Sequence, residues 1–229
     1  MRLLFATNNR HKLEEVREIL PPTCEVISLS DAGFSGDIPE TGETLNANSR
    51  QKAETICQWL KANGQWPQID GVIADDTGLE VKGLNGQPGV YSARYAGEPA
   101  NDAANRAKLL REMAGMTDRE ARFRTVVTLI RGEKEEQYEG IVRGRIETAE
   151  RGENGFGYDR LFVPQEEDDN GRGRTFAEMT DEEKNHISHR SIAFRQLTVE
   201  SQKSKVESQK SKVESQKSKV KSRKSKVES

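Results

Sequence analysis

Strand and helix patterns alternate at the front of the chain, and a long two-strand pattern occupies its middle; together they predict a mixed α/β sheet flanked by helices. Residues 3–6, 25–29 and 72–74 are short apolar or alternating runs, separated by stretches with helical spacing. Residues 122–130 and 137–146, joined by Gly132-Glu133-Lys134, read as an antiparallel hairpin.

The first strand, Leu3, Leu4, Phe5 and Ala6, runs into Thr7-Asn8-Asn9 and then a helix. The apolar positions of that helix, Leu13, Val16, Ile19 and Leu20, recur at helical spacing, and Pro21-Pro22 stop it. Residues 25–29 alternate as a second strand, and a polar, Gly-rich loop over 31–42 follows. A long helix over about 44–63 carries the stripe Ala53, Ile56, Cys57 and Leu60, with Gly64 as its C-terminal cap. The strand at 72–74 is expected to end in Asp75-Asp76-Thr77-Gly78, where Thr77-Gly78 turns the chain; residues 79–81 continue it or pair with it. Asn101 or Asp102 caps a helix to about residue 114, closed by Gly115. After the hairpin come a Gly-rich loop, a short strand at 161–163 and an acidic loop at 166–169. Thr180 with Glu183 forms a capping box for a last helix reaching about Leu197.

The chain has 229 residues, 33 % hydrophobic and 32 % charged, with 36 Lys and Arg against 38 Asp and Glu. Much of its apolar deficit lies in residues 199–229, where V-E-S-Q-K-S-K repeats three times and is followed by V-K-S-R-K-S-K. The repeat offers one Val per seven residues, whereas a coiled coil needs apolar residues at both a and d. It therefore reads as a basic, low-complexity, disordered tail, with contact to RNA, DNA or an acidic partner as the sharper alternative. The body, residues 1–198, keeps 26 basic and 34 acidic groups. Such acidity disfavours nonspecific nucleic-acid binding, which rests on clustered Lys and Arg. No run approaches the ~18 apolar residues of a membrane helix, and the first residues fall short of the ~7–15 of a signal-peptide core. Cys24 and Cys57 lack a C-x-x-C partner, there are three His and no H-E-x-x-H, and no G-x-x-x-x-G-K occurs. A protein of the cytoplasm, without membrane contact, is expected.

Four motifs carry chemistry, each beside a plainer reading. Asp75-Asp76 at a strand's C-terminal edge suits Mg²⁺, or is an Asp-rich turn. Thr7-Asn8-Asn9-Arg10-His11-Lys12 opens a helix whose free N–H groups favour phosphate, or is ordinary capping by Asn. Gly155-Phe156-Gly157-Tyr158-Asp159 allows close backbone approach and stacking of Phe156 on a base, or is a tight bend with Phe156 as core anchor. Lys184 and His189 lie five positions apart, about 140° around an ideal helix. They reach one ligand only across the helix start or through an irregularity; otherwise they mark a solvated face.

Read together, T-N-N-R-H-K, E-T-G-E-T-L-N-A-N-S-R-Q-K-A, A-D-D-T-G-L-E-V, P-G-V-Y-S-A-R-Y-A-G, G-F-G-Y-D and A-E-M-T-D-E-E-K-N-H-I-S-H-R resemble, in order and spacing, the signatures of the inosine/xanthosine triphosphate pyrophosphatases. These enzymes hydrolyse non-standard purine nucleoside triphosphates such as ITP, dITP and XTP. The likeness covers about residues 2–197. It implies a catalytic domain over 1–198 apart from the tail at 199–229, and an elongated α/β fold with two lobes around a central cleft, usually a homodimer. It further implies that Thr7, Asn8, Asn9, Arg10, His11 and Lys12 hold the triphosphate and that Lys52 faces the phosphates. Glu40 and Asp76 would bind Mg²⁺, Asp76 would serve as general base, and Thr77 would contact substrate. Phe156, Gly157, Tyr158, Asp159, Lys184, His189 and Arg190 would receive the purine, with Arg190 or a protonated His189 donating to its 6-oxo group. The sequence departs from the family pattern at Thr77, where Ser is usual, at Arg160, where Pro is usual, and in an insertion over 166–174. The Arg160 change leaves room for a nucleotide pyrophosphatase of different base preference, and a non-catalytic nucleotide-binding module is the alternative from another class.

Overall fold

The computed structural model describes residues 1–165, 169 and 172–199. The tail from residue 200 and most of the acidic loop and insertion at 166–174 lie outside the described residues. Six strands form one mixed sheet in the order β2-β1-β3-β4-β5-β6. The strands are β1 (Arg2–Phe5), β2 (Glu25–Ile27), β3 (Gly71–Val81), β4 (Glu120–Arg131), β5 (Lys134–Ile146) and β6 (Phe162–Pro164). β1 pairs parallel with β2 and β3, whereas β3, β4, β5 and β6 are antiparallel neighbours. Both halves of the predicted sheet are thus present, and Gly132, with φ of 61°, turns the hairpin between β4 and β5.

Two helices cover opposite faces of the β1–β3–β4 half. In α1 (Arg10–Ile19), Asn9 caps the start, its side chain accepting from the Lys12 amide. Val16 and Leu20 pack with Leu3, Phe5, Ile73, Val127 and Leu129, together with Phe194 and Leu197 of a helix over residues 189–199. In α2 (Leu45–Ala62), Thr44 caps the start, and the expected stripe of Ala53, Ile56, Cys57 and Leu60 packs on Leu4, Ala6, Val72, Ala74 and Ile130. The period of two along each strand separates the layers: Leu3 and Phe5 face α1, while Leu4 and Ala6 face α2.

A second core surrounds the far end of the long strands. Leu79, Val81, Phe123, Val142 and Ile146 meet Leu109 of α3 (Asp102–Glu112) and Met113 at its C-cap, with Tyr158, Phe162 and Phe176. The sheet thereby links two packed regions, and the space between them is where the site lies. The last helix differs from expectation. α4 (Asp181–Ile187) has the predicted capping box of Thr180 and Glu183 but stops at Ser188, which is extended at φ −65° and ψ 150°, before the chain becomes helical again over residues 189–199.

Candidate active site

β3 runs straight through Asp75-Asp76-Thr77-Gly78, in register with β4 from Val72 opposite Ile130 to Val81 opposite Ala121. This corrects the expected turn at Thr77-Gly78. Gly78 serves a different need: a Cβ there would stand 2.6 Å from the Gly89 carbonyl oxygen, so the glycine admits a neighbouring backbone. That neighbour is held by Ser92, whose hydroxyl donates to Gly89 O and accepts from Leu79 N.

Because β3 does not turn, its two carboxylates point to opposite faces. Asp75, in step with Ile73, meets Lys12 Nζ of α1 at 3.1 Å and Arg190 Nε at 3.0 Å. Asp76, in step with Ala74, meets Lys52 Nζ of α2 and Asn48 Nδ2, each at 3.1 Å. Lys52 also donates to Glu40 at 2.7 Å and thus stands between Glu40 and Asp76. Burial would raise the Asp75 carboxyl, but the charges of Lys12, Arg190 and Lys52 outweigh it and hold it well below the ordinary carboxylate range. At Asp76 burial prevails over Lys52 and Lys12, aided by the charge of Glu40, and the carboxyl is pushed up. Burial pushes the Lys12 ammonium down. Lys52 goes up, because Asp76, Glu40 and Asp75 outweigh its burial.

A cavity of about 310 Å³ gathers Lys12, Glu40, Lys52, Asp76 and Arg190, a size within the range of small-molecule sites. Its walls include Thr7, Asn8, Asn9 and Lys12 from the start of α1, Glu40, Lys52, Asp76 and Thr77, and Phe156, Gly157, Tyr158, Asp159, Lys184, His189 and Arg190. Arg10 and His11 fall outside these walls. The Arg10 side chain is largely exposed and pairs with Glu14 one turn along α1. His11 instead stacks on Phe156, with ring centroids 5.4 Å apart and planes 16° from parallel. Phe156 also lies under the Lys184 ammonium and the Arg190 guanidinium.

The interruption at Ser188 resolves the spacing of Lys184 and His189, for an irregular helix brings both to one cavity. Gly140 of β5 makes room there, since a Cβ on it would overlap the His189 carbonyl oxygen. His189 is buried with its ring stacked on Phe123, centroids 4.5 Å apart, and its Nδ1 has no partner among the described residues. Burial, with the charges of Arg190 and Lys184, drives its pKa well below 6.5. A neutral imidazole with one N–H, rather than the expected protonated His189, therefore faces the cavity.

The family model described as the Ham1 family matches residues 3–200. The chain belongs to the Ham1 family. It is 45 % identical over 197 residues to a dITP/XTP pyrophosphatase of Flavobacterium psychrophilum, covering 86 % of this chain and 97 % of the relative. A dITP/XTP pyrophosphatase of Bacillus subtilis is 43 % identical over 199 residues, covering 85 % and 94 %. Among solved structures, the Staphylococcus aureus Ham1 protein superposes with a TM-score of 0.75 at 36 % identity, over 89 % of this chain and all of that one. A Mycobacterium abscessus nucleoside-triphosphatase/dITP/XTP pyrophosphatase superposes with a TM-score of 0.65 at 38 % identity, over 86 % and 98 %.

In this Ham1 chain, Glu15 and Asn48 escaped sequence reasoning, and Asp75, read there with Asp76 as suited to Mg²⁺, serves as an ion-pair partner of Lys12 and Arg190. Glu15 accepts from Lys184 Nζ at 2.6 Å and also pairs with Arg190, so one α1 carboxylate holds two cations of the cavity wall. Asn48 holds the Asp76 carboxylate by donating to its Oδ2, and Asp75 holds Lys12. A signal existed for the two missed residues: Glu15 follows Lys12 by three residues and Asn48 precedes Lys52 by four, the spacings that share a helix face. Among the described residues, no helix is long and apolar enough to cross a membrane, and no cluster of three His, Cys, Asp or Glu side chains is arranged to hold a metal ion.

Proposed function

We propose that the chain hydrolyses ITP, dITP and XTP between the α- and β-phosphates, releasing the nucleoside monophosphate and pyrophosphate and so keeping these nucleotides out of DNA and RNA. One observation carries the reading. A single cavity combines a helix start and two lysines, suited to a triphosphate, with an aromatic ring among buried donors, suited to an oxopurine. The Ham1 relatives named as dITP/XTP pyrophosphatases support it.

The N-terminus of α1 offers backbone N–H groups and partial positive charge to the triphosphate, and Lys12 and Lys52 add full charges. Glu40 and Asp76 are the carboxylates that would hold Mg²⁺. Their donor chemistry fits, because this ion commonly takes one or two protein carboxylates, waters and substrate phosphates, so no third acidic ligand is required. Held by Glu40 and Asp76, the ion would neutralise phosphate charge and polarise a phosphoryl oxygen. Asp76, pushed up by burial, accepts the proton of the water that attacks the α-phosphorus. Lys12 and Lys52 meet the charge that develops on the departing pyrophosphate. Asp75 stays ionised and keeps Lys12 and Arg190 in place.

Selectivity follows from hydrogen-bond sense. Inosine and xanthosine present a 6-oxo acceptor to the N–H groups of Lys184, Arg190 and His189, while Phe156 stacks on the ring. Adenosine presents a 6-amino donor and offers those N–H groups no acceptor, a mismatch that discriminates by up to about 10⁴-fold. Arg160, beside Glu150 at 3.7 Å and outside the cavity walls, gives no ground for a different base preference. Supported by the family likeness, the same reading places the reaction in residues 1–198 of a cytoplasmic homodimer, which light scattering checks.

The test is incubation of the purified chain with ITP, XTP, GTP and ATP, with and without Mg²⁺, measuring pyrophosphate and orthophosphate separately. Pyrophosphate from ITP and XTP but not from ATP, and only with Mg²⁺, is expected, and GTP reports whether the 2-amino group is also refused. Orthophosphate in its place moves the attack off the α-phosphorus and overturns the reading.

A further inference from the structure

The loop carrying Phe156 is gripped by α3, with Asp102 at the cavity wall and Arg106 behind it. Gly157 is left-handed, with φ of 61°. Its N–H donates to Asp102 Oδ2 at 2.7 Å, and its carbonyl accepts from Arg106 Nη1 at 2.9 Å. Asp102 and Arg106 are four residues apart, so they share one face of α3. The N–H belongs to the peptide before Gly157 and the carbonyl to the peptide after it. Holding both peptides sets the φ and ψ of the one residue between them, and that residue turns Phe156 over the purine position. Arg106 is itself oriented, since its Nε donates to Glu150 at 2.9 Å and little of its side chain is exposed. Tyr158, next along the loop, is tied to Ser92 O at 2.8 Å. Phe156, by contrast, has stacking and cation contacts alone for its ring, so its place depends on the backbone beneath it.

We propose that Asp102 and Arg106 are positioning residues for purine recognition, a two-point clamp on Gly157 that holds the Phe156 ring as a stacking surface. Neither residue touches the phosphate-binding groups Lys12, Lys52, Glu40 or Asp76 among the contacts described. The proposal rests on the pyrophosphatase reading. It adds that α3, remote from the phosphates, decides how well the base is held.

The experiment measures kcat and KM for ITP, together with inhibition by inosine monophosphate and by inorganic pyrophosphate, in wild type, Arg106→Met, Arg106→Lys, Asp102→Ala and Asp102→Asn. Asp102→Asn and Asp102→Ala both remove the charge at the start of α3. Asn alone keeps an oxygen for the Gly157 N–H, so the difference between them reports that bond. A lost charge-assisted hydrogen bond corresponds to about tenfold or more in binding. Arg106→Met and Asp102→Ala are therefore expected to raise KM for ITP and weaken inosine monophosphate by about tenfold, with kcat and pyrophosphate inhibition unchanged and Asp102→Asn near wild type. Arg106→Lys, which keeps the charge but loses the rigid fork of Nε and Nη1, should fall between. If wild type turns over ITP and the variants leave KM unmoved, or lose pyrophosphate inhibition and kcat in equal measure, the clamp is overturned while the reaction stands. If wild type releases no pyrophosphate from ITP, the pyrophosphatase reading fails and the clamp's role in it falls too.

Discussion

At the scale of single residues, the site is a chain of buried charges in which each member depends on its neighbours. Asp75 lies between Lys12 and Arg190, and Arg190 in turn reaches Glu15 and the Thr77 hydroxyl. Replacing Asp75 with Asn leaves two cations without that counter-charge, which should cost about 3–5 kcal/mol, read as a lower denaturant midpoint. The pH dependence has a definite sign. Asp75 and Glu15 are lowered in the folded state, Glu15 because Arg190 and Lys184 outweigh its burial. Their contribution is complete above the ordinary carboxylate values and is lost as pH falls below about 4. Asp75→Asn should therefore flatten the acid limb of stability against pH. Asp76 behaves oppositely, since its carboxyl is raised and works only when deprotonated. Turnover should fall as pH drops through that raised value, and Asp76→Asn should abolish turnover while ITP still binds in a filter or calorimetric assay.

At the scale of elements, straight β3 and broken α4 determine which side chains meet. The stretch Asp-Asp-Thr-Gly carries the residues of a turn, and local propensity favours one. Ten residue pairs with β4 and a lysine for each carboxylate favour the strand instead. The close contact of β5 with the start of the helix over 189–199 depends on Gly140. An Ala there would overlap His189 O and crowd Ala193 N. Gly140→Ala should destabilise at the upper end of the about 1–3 kcal/mol of overpacking and raise KM for ITP by shifting His189 and Arg190. Thermal melts with ITP kinetics check both. If the melting temperature falls with KM unchanged, Gly140 matters to packing alone.

At the scale of the whole molecule, residues 1–199 contain the three core clusters and the cavity walls found among the described residues, and the Ham1 match ends at residue 200. Removing residues 200–229 should leave pyrophosphate release and the mass by light scattering per chain count unchanged; loss of a dimer would give the repeat a part in assembly. Much of this architecture was legible beforehand. Apolar period marked the helices and the hairpin, Asn9, Thr44 and Thr180 marked helix starts, and fifteen of the seventeen named site residues line the cavity. Those signals are local, carried by residues a turn or a strand apart, so residue order alone sets the sheet class, the helix starts and the set of motifs. Long-range packing is what turns Asp75 and Asp76 to opposite helices, lowers the His189 pKa and lets α3 grip Gly157. Each of these depends on a partner distant in sequence, and neither burial nor the sum of nearby charges exists until the two packed regions close around the cavity.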